Sequence, residues 1–311
     1  MTVPAQAPDQ VEPARGLGKI VAFGRLVVIE HSVFALPFAY VAALAAMRSL
    51  GERVRWWDLV LVTVAMVAAR TVAMAANRII DRRFDALNPR TARRELVTGA
   101  LSVRSAALGL VVALTVFLAA VAALNPLCLV LSPVAIFLLV VYSYGKRFTD
   151  FPQVLLGLAQ VVAPIGAWLA VTGRFSEPSA LPAVVLGVAV GAWIGGFDLI
   201  YACQDVEVDR QTGVRSVPVR FGIPNALRTS SVVHVVTVAL FALFGVAAGF
   251  GWLWYAGVAV VAAVLVYEHV IVRPDDLSRV NRAFFTANGV VGIVLFVFGL
   301  ADLVLLQGLS A

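Results

Sequence analysis

The stretch ANRIIDRRFDALNPRTARRELVTGALS, residues 76–102, lies between two long apolar runs, and its reading decides the rest of the chain. Asn77, Asp81 and Asp85 follow one another at steps of four, and eight arginines crowd the region from Arg70 to Arg104. A helix advances about 100° per residue, so steps of four stay on one narrow stripe. Arg70, one heptad before Asn77, shares that stripe. Carboxylates stacked at this spacing repel one another, and the cost rises in or near a membrane. Something positive must compensate them at the end of what the apolar flank marks as a membrane helix.

The composition supports that setting. Of 311 residues 61% are hydrophobic and only 14% charged, where a soluble domain carries roughly a quarter of its residues as charges. Apolar runs of about 20 residues, enough to cross a bilayer, recur near 20–47, 57–80, 101–124, 127–145, 151–172, 181–203, 229–250, 252–273 and 284–308. The chain is therefore expected to be all-α and polytopic, with nine transmembrane helices. Tight turns are expected at "LNP" (124–126) and "FGW" (250–252). Residues 1–16, rich in Pro, Ala and Gln, read as a disordered tail, and 17–311 as a single transmembrane domain. The run after Lys19 is too long for a signal-peptide core and is followed by no small-residue cleavage site, so it reads as the first span.

The net charge of +6 belongs to the positive-inside rule rather than to nucleic-acid binding. With the N-terminus inside, all but Arg48, Arg53, Arg55 and Arg174 of the 24 Lys and Arg fall on the cytoplasmic side. Every acidic cluster falls there too. Cys128 and Cys203 lie in apolar surroundings and suggest neither a disulfide framework nor a zinc site.

A second cluster follows the sixth run: FDLIYACQDVEVDR, residues 197–210, with Asp198, Tyr201, Asp205 and Asp209 at steps of three, four and four. Hard oxygen ligands without His or Cys favour Mg²⁺, which is usually held by one or two carboxylates together with substrate phosphates. Two such clusters facing each other suit metals on either side of a diphosphate, with nearby arginines taking its remaining charge. One Asp-x3-Asp beside arginines is ordinarily a solvated, salt-bridged helix end. Two at the same membrane face argue against that.

At these residues the chain resembles the UbiA superfamily of intramembrane aromatic prenyltransferases, in its 4-hydroxybenzoate polyprenyltransferase-like branch. YSYGKRFTDFPQVLLGLAQ (142–160) and YEHVIVRPDDLSRVNRAFFTANG (267–289) are also similar to that branch. The resemblance implies a UbiA-like bundle that transfers a polyprenyl group from its diphosphate to a ring carbon of an aromatic acid. It implies Mg²⁺ as cofactor, with Asn77, Asp81 and Asp85 forming one metal–diphosphate motif and Asp205 with Asp209 the other. Arg78 stands where many relatives have Asp, which removes one potential ligand. The acceptor is expected to be 1,4-dihydroxy-6-naphthoate or 4-hydroxybenzoate, in menaquinone or ubiquinone synthesis, with a lean toward the first.

Among the remaining polar residues, Lys146, Arg147 and Tyr144 are candidate catalytic residues by motif match. Asp198, deeper than Asp205, suits orientation of a ring hydroxyl or removal of the ring proton, and Arg147 a bidentate grip on the acceptor carboxylate. Arg70, Arg82, Arg94, Arg210, Tyr201, Arg25, Glu30 and His31 are candidate substrate contacts. Glu268 and His269 read as an interfacial anchor, His234 as a lone core histidine, and Trp56, Trp57, Trp252 and Trp254 as an outer aromatic belt. The loops after the second and sixth spans are expected to cap the site on the cytoplasmic side. An ion-coupled transporter is the competing reading, but it would carry its acids near the bilayer midplane.

Overall fold

The computed structural model describes residues 14, 16–27, 35–176, 180–283 and 288–310. Glu30, His31 and nearly all of the expected N-terminal tail lie outside them. The described chain folds into helices α1 (Leu17–Val27), α2 (Leu36–Ser49), α3 (Trp56–Leu87), α4 (Glu95–Thr98) and α5 (Val103–Leu124). These are followed by α6 (Pro126–Val141), α7 (Gly145–Phe148), α8 (Pro152–Thr172), α9 (Leu181–Ala202) and α10 (Val206–Thr212). The last third contributes α11 (Val217–Phe221), α12 (Ile223–Ala247), α13 (Trp252–Ile271), α14 (Val280–Arg282) and α15 (Asn288–Ala301).

Eight helices among the described residues are long and apolar enough to cross a membrane. They match the second to ninth expected spans; the first corresponds to α1 and the 14-residue α2, with residues 28–34 between them outside the description. Both expected turns are present. Asn125 caps α6 by accepting from the Cys128 amide at 3.0 Å, and its own amide donates to the Leu169 and Ala170 carbonyls. Gly249, at φ +68°, turns the chain between α12 and α13.

α3 has 32 residues, about 48 Å at 1.5 Å per residue, whereas the hydrocarbon core is about 30 Å thick. Its last turns therefore project beyond the bilayer, and these carry Asp81 and Asp85. A 3₁₀ turn (Tyr142–Tyr144) continues α6 into α7, and another (Cys203–Asp205) continues α9 into α10.

Small residues set the central packing. Gly187, Gly191 and Gly195 form a stripe on α9 against α8. A Cβ at these positions would lie 3.0 Å from the Val161 carbonyl oxygen, 2.6 Å from that of Gly157 and 3.2 Å from that of Gln153. The oxygen partners also step by four, so the two backbones touch along a seam. Lipid provides little hydrophobic drive between membrane helices, and close backbone approach of this kind supplies dispersion contact instead.

Around the seam lies a buried aromatic core. Phe38 packs 5.2 Å from Trp193 and 5.8 Å from Phe241, and the Trp254 indole donates to the Phe241 carbonyl at 2.9 Å. Trp254 is thus core, not belt; Trp56, Trp57 and Trp252 are exposed as expected. Asp302 closes the N-terminus of α13, accepting from the amides of Gly251 (2.8 Å) and Trp254 (3.0 Å) and from Gln307. A carboxylate suits that end, where orphan N–H groups and the helix dipole both carry positive charge.

Candidate active site

The two acidic clusters line one polar cavity of about 270 Å³. From α3 come Asn77, Asp81 and Asp85, and across the cavity stand Asp198, Tyr201, Asp205 and Asp209. The 3₁₀ turn at Cys203–Asp205 shifts the helical phase within the second cluster, yet all four side chains still face the same space. Ser143, Lys146 and Gln153 complete the wall from the segment between α6 and α8.

Asp81, Asp85 and Asp205 each have a cationic partner. Asp81 meets Lys146 at 2.7 Å and Arg147 at 3.2 Å, and accepts from Asn77 at 3.0 Å. Asn77 also donates to Ser143 Oγ at 3.2 Å. Arg94 pairs with Asp85 at 2.6 Å. Arg90 reaches from the loop after α3 to grip Asp205 with two nitrogens, at 3.0 and 2.5 Å, and donates to the Tyr201 hydroxyl at 2.8 Å. Asn88 adds a third hydrogen bond to Asp205 at 2.9 Å. Partial burial works against the Arg90 charge, but the Asp205 contacts outweigh it and hold the guanidinium above its ordinary pKa.

Both expected cap loops reach the cavity: Thr91 and Arg94 line it from one, Arg215 and Ser216 from the other. Arg215 ties its loop down through a two-nitrogen grip on Asp150 at 2.9 and 3.2 Å, and its amide donates to the Lys146 carbonyl at 2.9 Å. The Arg215 hydrogen bonds hold the Asp150 carboxyl below its ordinary range.

Several sequence candidates stand elsewhere. Arg147 is spent on Asp81 and the Ile80 carbonyl (2.8 Å) and lies over the rings of Phe84 and Tyr144, outside the cavity wall. Tyr144 supports Arg147 and leaves the wall to its neighbours Tyr142 and Ser143. Arg82 donates to the Leu96 carbonyl, Arg25 is exposed, and Arg210 meets Glu207 at 3.8 Å; none of the three lines the cavity. Arg90, Asn88, Ser143, Gln153 and Arg215 were not singled out from sequence. Arg90 had a visible signal, lying in "NPR" directly after the first acidic helix.

His234 is the buried, hydrogen-bonded core residue expected but is not alone, and Glu268 is not an interfacial anchor. His234 Nδ1 lies 2.9 Å from His269 Nε2 and 3.6 Å from the Glu268 carboxylate, with Glu268 only 1% exposed. The expected anchor and the expected lone histidine form one buried polar cluster between α12 and α13.

An apolar cavity of about 420 Å³, walled by α3, α5, α6 and α8, adjoins the polar one and shares Tyr142 and Leu156 with it. Arg70 lines this apolar cavity, and its Nε has no hydrogen-bond partner among the described residues. A cation beside apolar walls at membrane depth is costly.

Metal chemistry fits the donor set. Among the described residues no three acidic or His/Cys side chains converge closely enough to hold an ion by themselves. Mg²⁺ does not require that, since one or two carboxylates with phosphate oxygens are its usual ligands. The candidate ligands here are all oxygens facing one cavity.

Comparison with known proteins agrees with this architecture. The model of the UbiA prenyltransferase family matches residues 35–290. A 4-hydroxybenzoate octaprenyltransferase from Citrobacter koseri is 31% identical over 283 residues, covering 91% of this chain and 96% of the relative. Among solved structures, the apo UbiA homologue from Aeropyrum pernix K1 superposes with a TM-score of 0.80 at 34% identity, covering 88% of this chain and 98% of that one. The Archaeoglobus fulgidus homologue bound to DMAPP and Mg²⁺ shares the fold at a TM-score of 0.65 and 21% identity, covering 91% and 99% of the two chains.

Proposed function

The chain belongs to the UbiA prenyltransferase family, and from that premise we propose that it transfers a polyprenyl group from polyprenyl diphosphate to a ring carbon of a hydroxylated aromatic acid. The observation that carries this reading is the junction of an acid- and cation-lined cavity with an apolar one at Tyr142 and Leu156. The diphosphate sits between the two acidic clusters, and the first isoprene units enter the apolar cavity. The relatives named 4-hydroxybenzoate octaprenyltransferase favour 4-hydroxybenzoate as acceptor over the naphthoate, and so a place in ubiquinone synthesis. The site faces the cytoplasm by the distribution of Lys and Arg.

Asn77, Asp81 and Asp85 on one side and Asp205 and Asp209 on the other would hold Mg²⁺, as the DMAPP- and Mg²⁺-bound fold relative suggests. When bound, Mg²⁺ supplies Lewis-acid withdrawal of charge from the leaving diphosphate. Lys146, Arg90 and Arg94 then exchange carboxylate for phosphate oxygens and take up the charge that develops there. As the allylic C–O bond breaks, the apolar wall keeps water from quenching the carbon. The acceptor ring lies near Asp198, which takes the ring proton after the new C–C bond forms. Arg70 grips the acceptor carboxylate, while Arg147 orients Asp81.

Asp81→Ala and Asp205→Ala test the reading. Each is expected to abolish Mg²⁺-dependent diphosphate release and prenylated product while the protein still purifies folded. Near-normal turnover in both variants would sink it.

A further inference from the structure

An apolar groove of about 660 Å³ runs between α8, α9 and α12, and only Gln153 lines both it and the polar cavity. Val154, Leu158 and Val161 of α8, Val188 and Ala192 of α9 and Val233 of α12 form its walls. Val154, Leu158 and Val188 are exposed, so the groove opens at the surface of the bundle rather than inside it.

Its depth matches one leaflet. From Phe151, at the end of the bundle that holds the polar cavity, α8 rises about 15 Å to Val161 at 1.5 Å per residue. On α9 the run from Leu199 to Val188 spans about 16 Å. The hydrocarbon core is about 30 Å thick, so the groove covers the half of it next to the polar cavity.

At that end the wall turns polar, with Asn225, Arg228 and Thr229 from the first turns of α12. Asn225 donates to the Phe221 carbonyl at 3.0 Å and Thr229 to the Asn225 carbonyl at 2.8 Å, so both bond locally. Arg228 is the one charged residue among the described residues that line the groove, and it is exposed. It forms no ion pair among the described residues. The N-terminus of α12 adds the positive end of its helix dipole. An arginine at a helix end is ordinary in a membrane protein. One set at the head of a leaflet-deep apolar groove has the layout of a single lipid, with charge above and chain below.

We propose that this groove binds one anionic glycerophospholipid, with an acyl chain along α8 and α9 and the phosphate on Arg228. A zwitterionic lipid offers the same chain and phosphate but carries its own cation, which competes with Arg228. Preference for the anionic headgroup is therefore the signature of the site.

Delipidated full-length protein in a neutral detergent, titrated with dioleoyl phosphatidylglycerol or dioleoyl phosphatidylcholine, tests this by native mass spectrometry and melting. Phosphatidylglycerol is expected to be retained at one copy per chain, about fivefold or more tighter than phosphatidylcholine, and to raise the Tm as its concentration rises. Arg228→Gln is expected to remove that preference while its Tm without lipid stays at wild type. Ala192→Phe fills the groove and leaves Arg228 in place. It is expected to weaken retention of both lipids about tenfold, the worth of roughly two buried methylenes. Equal binding of the two lipids by wild type overturns the proposal, as does a preference that survives Arg228→Gln. Wild-type retention in Ala192→Phe overturns it too. So does a dimer that Ala192→Phe dissolves, which assigns the groove to a second copy of the chain.

Discussion

Gly191→Ala puts the α8–α9 seam to a quantitative test. The added Cβ would sit 2.6 Å from the Gly157 oxygen and 3.2 Å from its carbonyl carbon. Ordinary contact begins at 3.4 Å, so the helices must part by about 0.8 Å, and the obstacle is backbone that no rotamer change can move aside. Overpacking of this kind costs about 1–3 kcal/mol, against a gain of about 1 kcal/mol from replacing helical glycine. The net loss, about 0–2 kcal/mol, should lower the apparent Tm in detergent by up to about 6 °C. The seam also sets the separation of the α8 and α9 walls of the polar cavity, so turnover should fall with it. Gly166→Ala is the matched control: it lies on α8 with nothing within 4 Å of its would-be Cβ, and should melt at or slightly above wild type. Equal melting of the Gly191 and Gly166 variants, with unchanged turnover, would refute the argument that backbone contact fixes this seam.

Two further outcomes follow from the remaining geometry. Arg70→Lys keeps the charge but loses the bidentate fork, and should raise the acceptor KM about tenfold with little change in the donor KM; a rise confined to the donor would assign Arg70 to the diphosphate. Asp302→Ala leaves the amides of Gly251 and Trp254 without their acceptor, and at about 1–3 kcal/mol per buried unpaired group should lower the melting temperature clearly, whereas melting unchanged from wild type would show that water takes over the cap.

The acidic clusters were legible in the sequence because their cost is local. Asp81 and Asp85, or Asp205 and Asp209, repel along one helix whatever the rest of the chain does, so their presence demanded a compensating partner. The spans were legible for a similar reason, since hydropathy over about 20 residues needs no tertiary information. What escaped depends on contacts between distant segments. Nothing in "NPRT" says that Arg90 will cross to Asp205, 115 residues on. Nor does the tripeptide "FPQ" say that Gln153 will line the same cavity as Asp198. Trp254 and Glu268 were misplaced because both lie near helix ends, where hydropathy cannot tell a residue facing lipid from one facing a neighbouring helix. The Gly187–Gly191–Gly195 stripe was present as a small-residue repeat, but a reading based on hydropathy alone passes over it.

The α13 cap has a consequence for how this chain is made. The Gly251 and Trp254 amides find their acceptor in Asp302, 51 and 48 residues further on. At about 5–20 residues per second, the first turn of α13 is polymerised several seconds before that carboxylate exists. Until Asp302 has been made and has docked, those two donors lack this acceptor. The helix pair α13–α15 is therefore completed only once Asp302 has been translated, and the amino-terminal helices must hold their places in the membrane without it.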